Sequence, residues 1–200
     1  MAGLSFIFLL LNVQPYLAYS HPVHGRWLVV EGFVPDYTIQ AAKKIFEKGN
    51  YEKILVTGKK RIKGAHLDRY KNDGEFTAAT LRALGVAPED IVVIALDRDF
   101  RKDRTYQSAV ALREFMRRNG FSGNMDLVSL GCHARRSYYL FCLAFGSERE
   151  IGVYSIPNVG YDPGRWWQSS NGFRDVTKEM IAWFYARFLF YPDHKDYSAQ

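Results

Sequence analysis

The sequence predicts an α/β fold: a Rossmann-like three-layer αβα sandwich with a parallel five-stranded sheet. Three observations carry this expectation. Short apolar runs recur along the chain, each closed by glycine or a polar turn. Helical patterns of about 10 to 15 residues separate them, which is the spacing of βαβ units. The chain has 200 residues, 48% of them hydrophobic, enough for one domain with a proper core and short for two.

The elements follow in order. Trp27 to Val30 is an apolar run ending in Glu31-Gly32 and reads as a buried strand. Asp36 stands where it would cap the next helix, which carries Ile39, Ala42, Ile45 and Phe46 on one face and stops at Gly49. Lys53 to Gly58 is a second strand, followed by the polar stretch Lys59 to Asn72. Asp73 starts a helix through Leu84, closed by Gly85. Asp90 to Leu96 is the third strand, and Asp103 opens a helix closed by Asn119-Gly120. Met125 to Leu130 is the fourth strand. Ala134 to Phe145 is a helix apolar nearly all round and therefore well buried. Ile151 to Ile156 is the fifth strand, and a loop with Trp166 and Trp167 leads to a last helix near Phe173 to Phe190. Right-handed crossovers place helices on both faces. Strand order is not legible from this pattern.

The N-terminal segment, residues 1–20, stands apart from the domain of residues 21–200. Ala2 to Leu11 is almost continuously apolar, shorter than the roughly 20 residues a spanning helix needs. Three roles fit it: a membrane anchor or its remnant, which is preferred; a weak signal peptide ending near Ala18-Tyr19-Ser20; or a core segment. Cys132 and Cys142 lie roughly 13 Å apart if the intervening segment is helical at about 1.5 Å per residue, too far for a disulfide. Free thiols are expected, and no zinc-ligand spacing occurs.

The net charge of +6 points to anionic partners: phosphates, nucleic acid or a membrane surface. Its placement narrows the choice, because open α/β sheets bind ligands beyond the carboxyl ends of their strands. Lys59, Lys60, Arg61 and Lys63 follow the second strand; Arg98, Arg101, Lys102 and Arg104 follow the third; His133, Arg135 and Arg136 follow the fourth. Helix N-termini on that edge add positive dipole ends. His133 is the candidate proton donor or acceptor, since its pKa lies nearest neutrality; the alternative is a capping role. Glu31 and Glu75 are candidate general bases or metal ligands; the alternative is salt bridging to the nearby basic loops. Gly32, Thr57, Gly58, Arg104, Thr105, Ser108 and Arg136 are the candidate ligand-binding set, although Gly32 and Gly58 also serve simply to end strands. No metal site is assigned. Cys132, Trp166 and Trp167 read as packing residues. No G-x-G-x-x-G or G-x-x-x-x-G-K-[ST] is present, which argues against a standard dinucleotide or P-loop site.

Several stretches in this order resemble the YdcF/SanA/ElyC-like proteins, a bacterial group with a Rossmann-like fold. Ile54 to Gly58 is close to that family's L-V-T-G-G. Leu84 to Ile91, led by a helix that Glu75 opens, is similar to L-G-V-P-x-x-x-I. Arg104 to Ser108 stands against N-T-x-E-N, and Ser129 to Arg136 against T-S-x-x-H-x-x-R, with His133 and Arg136 kept. Glu179 resembles a family glutamate. The resemblance spans about Trp27 to Phe188. Gln107 and Ser108 depart from the N-T-x-E-N acid and amide, and Phe33 interrupts the glycine-rich turn after the first strand.

The resemblance implies a role in bacterial envelope or cell-wall metabolism, association with the inner membrane, and a small anionic ligand; nucleotide-type ligands such as S-adenosylmethionine are also among those it suggests. It implies no agreed reaction. The leading expectation is a protein binding a phosphorylated, nucleotide-like or lipid-linked ligand. As a transferase or hydrolase it would use His133 as acid/base and Arg136 to stabilise developing charge. The second expectation is a non-catalytic ligand sensor or assembly factor, favoured by loss of the N-T-x-E-N acid. Nucleic-acid binding ranks last, because the cations gather round one cleft and no recognition motif occurs.

Overall fold

A computed structural model describes residues 2–60, 69–96 and 103–192. Its centre is a five-stranded, wholly parallel sheet in the order β3-β2-β1-β4-β5. The strands are β1 (Trp27–Glu31), β2 (Lys53–Lys59), β3 (Ile91–Leu96), β4 (Met125–Leu130) and β5 (Ile151–Ile156). Between them run α2 (Asp36–Lys48), α3 (Asp73–Ala83), α4 (Arg104–Arg118) and α5 (Ala134–Phe145), with α1 (Ala2–Leu17) before and α6 (Ser170–Phe184) after. The expected fold class and strands are present.

Alternation along β1 shows how the layers form. Trp27 and Val29 face one core with Leu112 and Met116 of α4 and Phe141 and Phe145 of α5. Leu28 and Val30 face the other, with Ile39 and Ala42 of α2 and Ala78 and Leu81 of α3. Both faces of the strand are buried, as a parallel sheet requires. The strand order explains the division of helices. The chain runs outward from β1 to β3, then crosses back to β4 on the other side of β1. Right-handed crossovers therefore put α2 and α3 on one face and α4 and α5 on the opposite one. The reversal leaves a crevice between the carboxyl ends of β1 and β4, the topological switch point.

Local signals placed most boundaries, with differences at two helix ends. Asp36 does not cap α2: Pro35 occupies the N-cap position in extended conformation, and Asp36 is the first helical residue. Its charge there still complements the helix dipole. The cap of α3 is Asn72, whose Oδ1 accepts from the Glu75 amide at 2.7 Å. The last helix ends earlier than its periodicity suggests. It gives way at Tyr185–Leu189 to one π-helical turn, closed by the Phe190 amide donating to the Tyr185 carbonyl at 2.9 Å.

The later part of the N-terminal segment belongs to the domain. Val13 and Leu17 are buried with Cys132, Tyr161, Trp166 and Val176. Trp166 Nε1 donates to the Leu10 carbonyl at 2.9 Å. The Arg135 guanidinium lies over Tyr16 and Tyr19, 3.8 and 4.3 Å from the ring centroids. Residues 10–17 therefore pack against the domain. Among the described residues no helix is long and apolar enough to cross a membrane.

One backbone contact sets the position of α3. A Cβ at Gly58 would lie 1.9 Å from the Gly74 amide nitrogen, and one at Gly32 would lie 2.4 Å from the Thr57 carbonyl oxygen and 2.9 Å from that same nitrogen. The first turn of α3 therefore rests directly on the ends of β1 and β2, and no side chain fits between. Gly58→Ala is expected to push α3 away and destabilise the domain by about 1–3 kcal/mol, the usual cost of overpacking. Urea denaturation checks this, and an unchanged midpoint would show that the contact is not made.

Candidate functional site

The site begins with a carboxylate at the switch point. Glu31 ends β1 and is 2% exposed. The register pairs Val30 with Val128, which brings Ser129 of β4 level with it. Ser129 Oγ donates to Glu31 Oε2 at 2.5 Å. Ser137 Oγ, from the first turn of α5, donates to Oε1 at 2.9 Å. His133 comes from the 3-10 turn Gly131–His133 that joins β4 to α5. Its Nε2 lies 3.5 Å from Glu31 Oε1, a charge contact without hydrogen-bond alignment, since Nε2 is buried and has no hydrogen-bond partner.

On the other side of the ring the chain of charges continues. His133 Nδ1 is 3.3 Å from Glu179 Oε2, and Arg136 Nη2 is 2.8 Å from Nδ1. Arg136 grips Glu179 with two bonds, Nε to Oε2 at 2.9 Å and Nη2 to Oε1 at 3.2 Å. Phe33 packs edge-on against the imidazole, with ring centroids 5.2 Å apart. The result is a row of charges, Glu31–His133–Glu179–Arg136, with the carboxylates buried and His133 and Arg136 partly so, that ties β1, β4, α5 and α6 together.

Protonation follows from this row. Burial opposes an imidazolium at His133, but the carboxylates of Glu31 and Glu179 flanking it outweigh that and raise its pKa. Burial likewise opposes ionised Glu31, and the His133 charge with the two serine hydroxyls overcomes it, so its pKa is lowered. Glu179 is held far below the usual carboxylate range, against its own burial, by His133 and Arg136. The short Arg136 contact suits a neutral Nδ1 that accepts, whereas both carboxylates favour the charged ring. Carboxylates on both sides outweigh a single guanidinium that is itself paired to Glu179, so the net direction is upward and the ring holds its charge to higher pH than a free histidine.

Above this row opens a cavity of about 510 Å³, within the range of about 300–1,000 Å³ usual for small-molecule sites. Phe33, Thr57, Gly58 and Lys59 line it from the β1 and β2 ends, and Arg104, Thr105 and Ser108 from the first turn of α4. His133, Arg136, Asp175, Lys178 and Glu179 complete its far wall. The fold therefore brings Thr57, Gly58, Arg104, Thr105, Ser108, His133 and Arg136 of the expected set into one space. Among the described residues four carboxylates line the cavity, Asp73, Asp103, Asp175 and Glu179; of these Asp175 accepts from Tyr161 at 3.0 Å and Asn158 at 3.3 Å, and Glu179 is held as described. Asp103 precedes α4 with φ of 53° and makes no side-chain cap. The Asp103 side chain therefore leaves the opening amides of that helix to other partners.

Other expected residues are placed differently. Gly32 lies beneath Thr57 and Gly74 and does not line the cavity. Glu75 accepts from the Lys71 amide at 2.9 Å, so it closes the start of α3 and does not reach the cavity either. Arg135 is turned toward Tyr16 and Tyr19. Arg61, Lys63, Arg98, Arg101 and Lys102 lie outside the described residues. Ser129, Ser137 and Asp175 belong to the site and were not singled out from sequence. Cys132 is buried and its thiol is pushed up to about 11 by burial, which makes it unreactive. Both cysteines are free. Among the described residues no three His, Cys, Asp or Glu side chains gather as a metal site.

The chain matches no family model, no curated protein and no solved structure in three comparisons with known proteins.

The row of charges makes stability pH-dependent with a definite sign. His133 has a raised folded pKa, so its contribution is complete below the unfolded value of about 6.5 and is lost as pH rises through the folded value. Glu31 and Glu179 have lowered pKa values, so theirs is complete above about 4.5 and lost as pH falls through the folded values. Denaturation of the wild type across this range is expected to show both losses, and His133→Gln to lack the alkaline one. Removing the imidazolium also leaves Glu31 buried and short of a countercharge, which costs about 3–5 kcal/mol. A wild type equally stable from pH 6 to 9 would contradict the assignment.

Proposed function

We propose that this protein binds a small phosphorylated or nucleotide-like anion in the cavity over the switch point, in bacterial envelope or cell-wall metabolism. The observation that carries the reading is the cradle at the start of α4. Exposed Arg104, Thr105 and Ser108 line one side of the cavity at the start of α4, where the Asp103 side chain does not cap the helix. Helix N-termini with such groups receive phosphate through backbone N–H groups and the dipole together. Thr57 and Gly58 supply the floor. A phosphorylated or lipid-linked compound engages these groups directly, whereas S-adenosylmethionine, with no phosphate and a net positive charge, meets them only through its carboxylate.

The order of motifs from Trp27 to Phe188 supports placing the chain among the YdcF/SanA/ElyC-like proteins, and with them at the inner membrane. An exposed apolar face on α6 supports contact with a membrane surface. The second expectation, a ligand sensor or assembly factor without turnover, gains from one observation. Both nitrogens of His133 face protein groups, and Nε2 is enclosed. A ring so held presents no nitrogen to a ligand, which favours binding and charge stabilisation over acid–base catalysis by His133.

Thermal shift of the full chain with inorganic phosphate, nucleotides, S-adenosylmethionine and sugar phosphates tests the reading. A ligand at about 100 times its dissociation constant adds roughly 2.7 kcal/mol to the folded state. Phosphate-bearing compounds are expected to raise the melting temperature of the wild type and to lose most of that effect in Arg104→Ala. No shift with any of them, or an equal shift in the variant, would remove the anion site from this cavity.

A further inference from the structure

The cavity has a side branch. A crevice of about 70 Å³ shares Asp103, Thr105 and Arg136 with the main space. Beyond these three residues its character changes. The remaining walls are Leu140, Ala182, Tyr185, Ala186 and Phe190, so it runs from a charged mouth into apolar surroundings. Two details of α6 make the branch. Ala182 and Ala186 are four residues apart on one face of the helical path, where larger side chains would close the gap. The π-helical turn at Tyr185–Leu189 then shifts the backbone and lets Phe190 fold back to pack edge-on against Tyr106, with centroids 5.2 Å apart. Turns of this kind often occur at functional sites.

The crevice leads to an unusual surface. Tyr185 belongs both to its wall and to a run of exposed apolar side chains: Ile181 at 63%, Phe184 at 56%, Phe188 at 52% and Leu189 at 60%. Contiguous apolar exposure of this kind marks a surface that meets another apolar body. The opposite face of the same helix carries Asp175, Lys178 and Glu179 to the cavity. One helix thus presents the ionic site on one side and the apolar surface on the other, with the crevice between them.

We propose that the ligand is an amphiphilic phosphate ester, whose phosphate lies at the α4 cradle and whose hydrocarbon chain enters the crevice at Arg136 and leaves over Tyr185. This rests on the anion reading above and names the substrate class for the same site. Size and continuity select the occupant. The slot is far too narrow for a helix of about 10 Å diameter, so a partner protein segment does not fit, whereas a single chain does. Its charged mouth opens into the proposed phosphate site, so head and chain belong to one molecule.

Calorimetric titration of the full chain with methyl, butyl and octyl phosphate, all below micelle-forming concentrations, tests this. Each buried methylene is expected to tighten binding roughly fourfold, so octyl phosphate should bind at least tenfold more tightly than methyl phosphate. Ala182→Leu, in the wall of the crevice, should leave methyl phosphate binding unchanged and remove most of that gain. Equal affinity across the series would overturn the crevice proposal and leave the anion site standing. A chain-length gain that survives fully in a folded Ala182→Leu would place the chain elsewhere and overturn it as well. Binding of none of the three would remove the anion site and this proposal together. Equal affinity across the series in the wild type overturns the proposal even without the variant.

Discussion

A carboxylate buried at the meeting point of two strands cannot persist alone, and that constraint organises this molecule. An isolated ion at Glu31 would be costly to desolvate by many kcal/mol. The protein answers with hydroxyls from Ser129 and Ser137 and an imidazolium from His133. Each partner comes from a different turn of chain, and each must be in register for the charge to be tolerated. His133 in turn needs Glu179, and Glu179 is completed by Arg136. Satisfying one carboxylate therefore fixes β1 against β4, the first turn of α5 against both, and α6 across the top.

The same row decides what the cavity can do. Its members cancel one another, so Arg136 is largely occupied by Glu179 and is less available to an anion than its position in sequence suggests. The attraction for phosphate falls instead to the opposite wall, where α4 begins. The close approach of Gly58 and Gly74 matters to that wall too. It seats α3 low on the strand ends and leaves the space above Thr57 open. The functional reading thus depends less on the total positive charge of the chain than on which charges are already neutralised.

The fold was legible because its signals are local. Each strand is a short apolar run with a polar or glycine stop, and each crossover has helical periodicity, so class and parallel pairing followed without knowledge of strand order. Glu31, His133 and Arg136 stood out because charged residues directly after apolar strands are conspicuous. Ser129 and Ser137 were not, because a serine inside a strand or an apolar helix looks like tolerated polarity until a carboxylate is placed beside it. Glu179 emerged only through resemblance, since its partners lie more than 40 residues away. Glu75 is a different case: a carboxylate at the start of a helix near basic loops suggests chemistry, and in the structure it accepts a local hydrogen bond from the Lys71 amide. The π turn left no periodic signature distinct from an ordinary helix, so the crevice beside it was invisible in sequence.

The state of His133 tests the account most directly. Its ring nitrogens and carbons can be followed by NMR across pH 5 to 10, with His133→Gln identifying the resonance among the five histidines. An imidazolium held between Glu31 and Glu179 is predicted to keep both nitrogens protonated well past the ordinary histidine value of about 6.5, and its midpoint should fall in Glu179→Gln. A ring that titrates at or below the ordinary value, unaffected by Glu179→Gln, would contradict the row of charges on which the site is built.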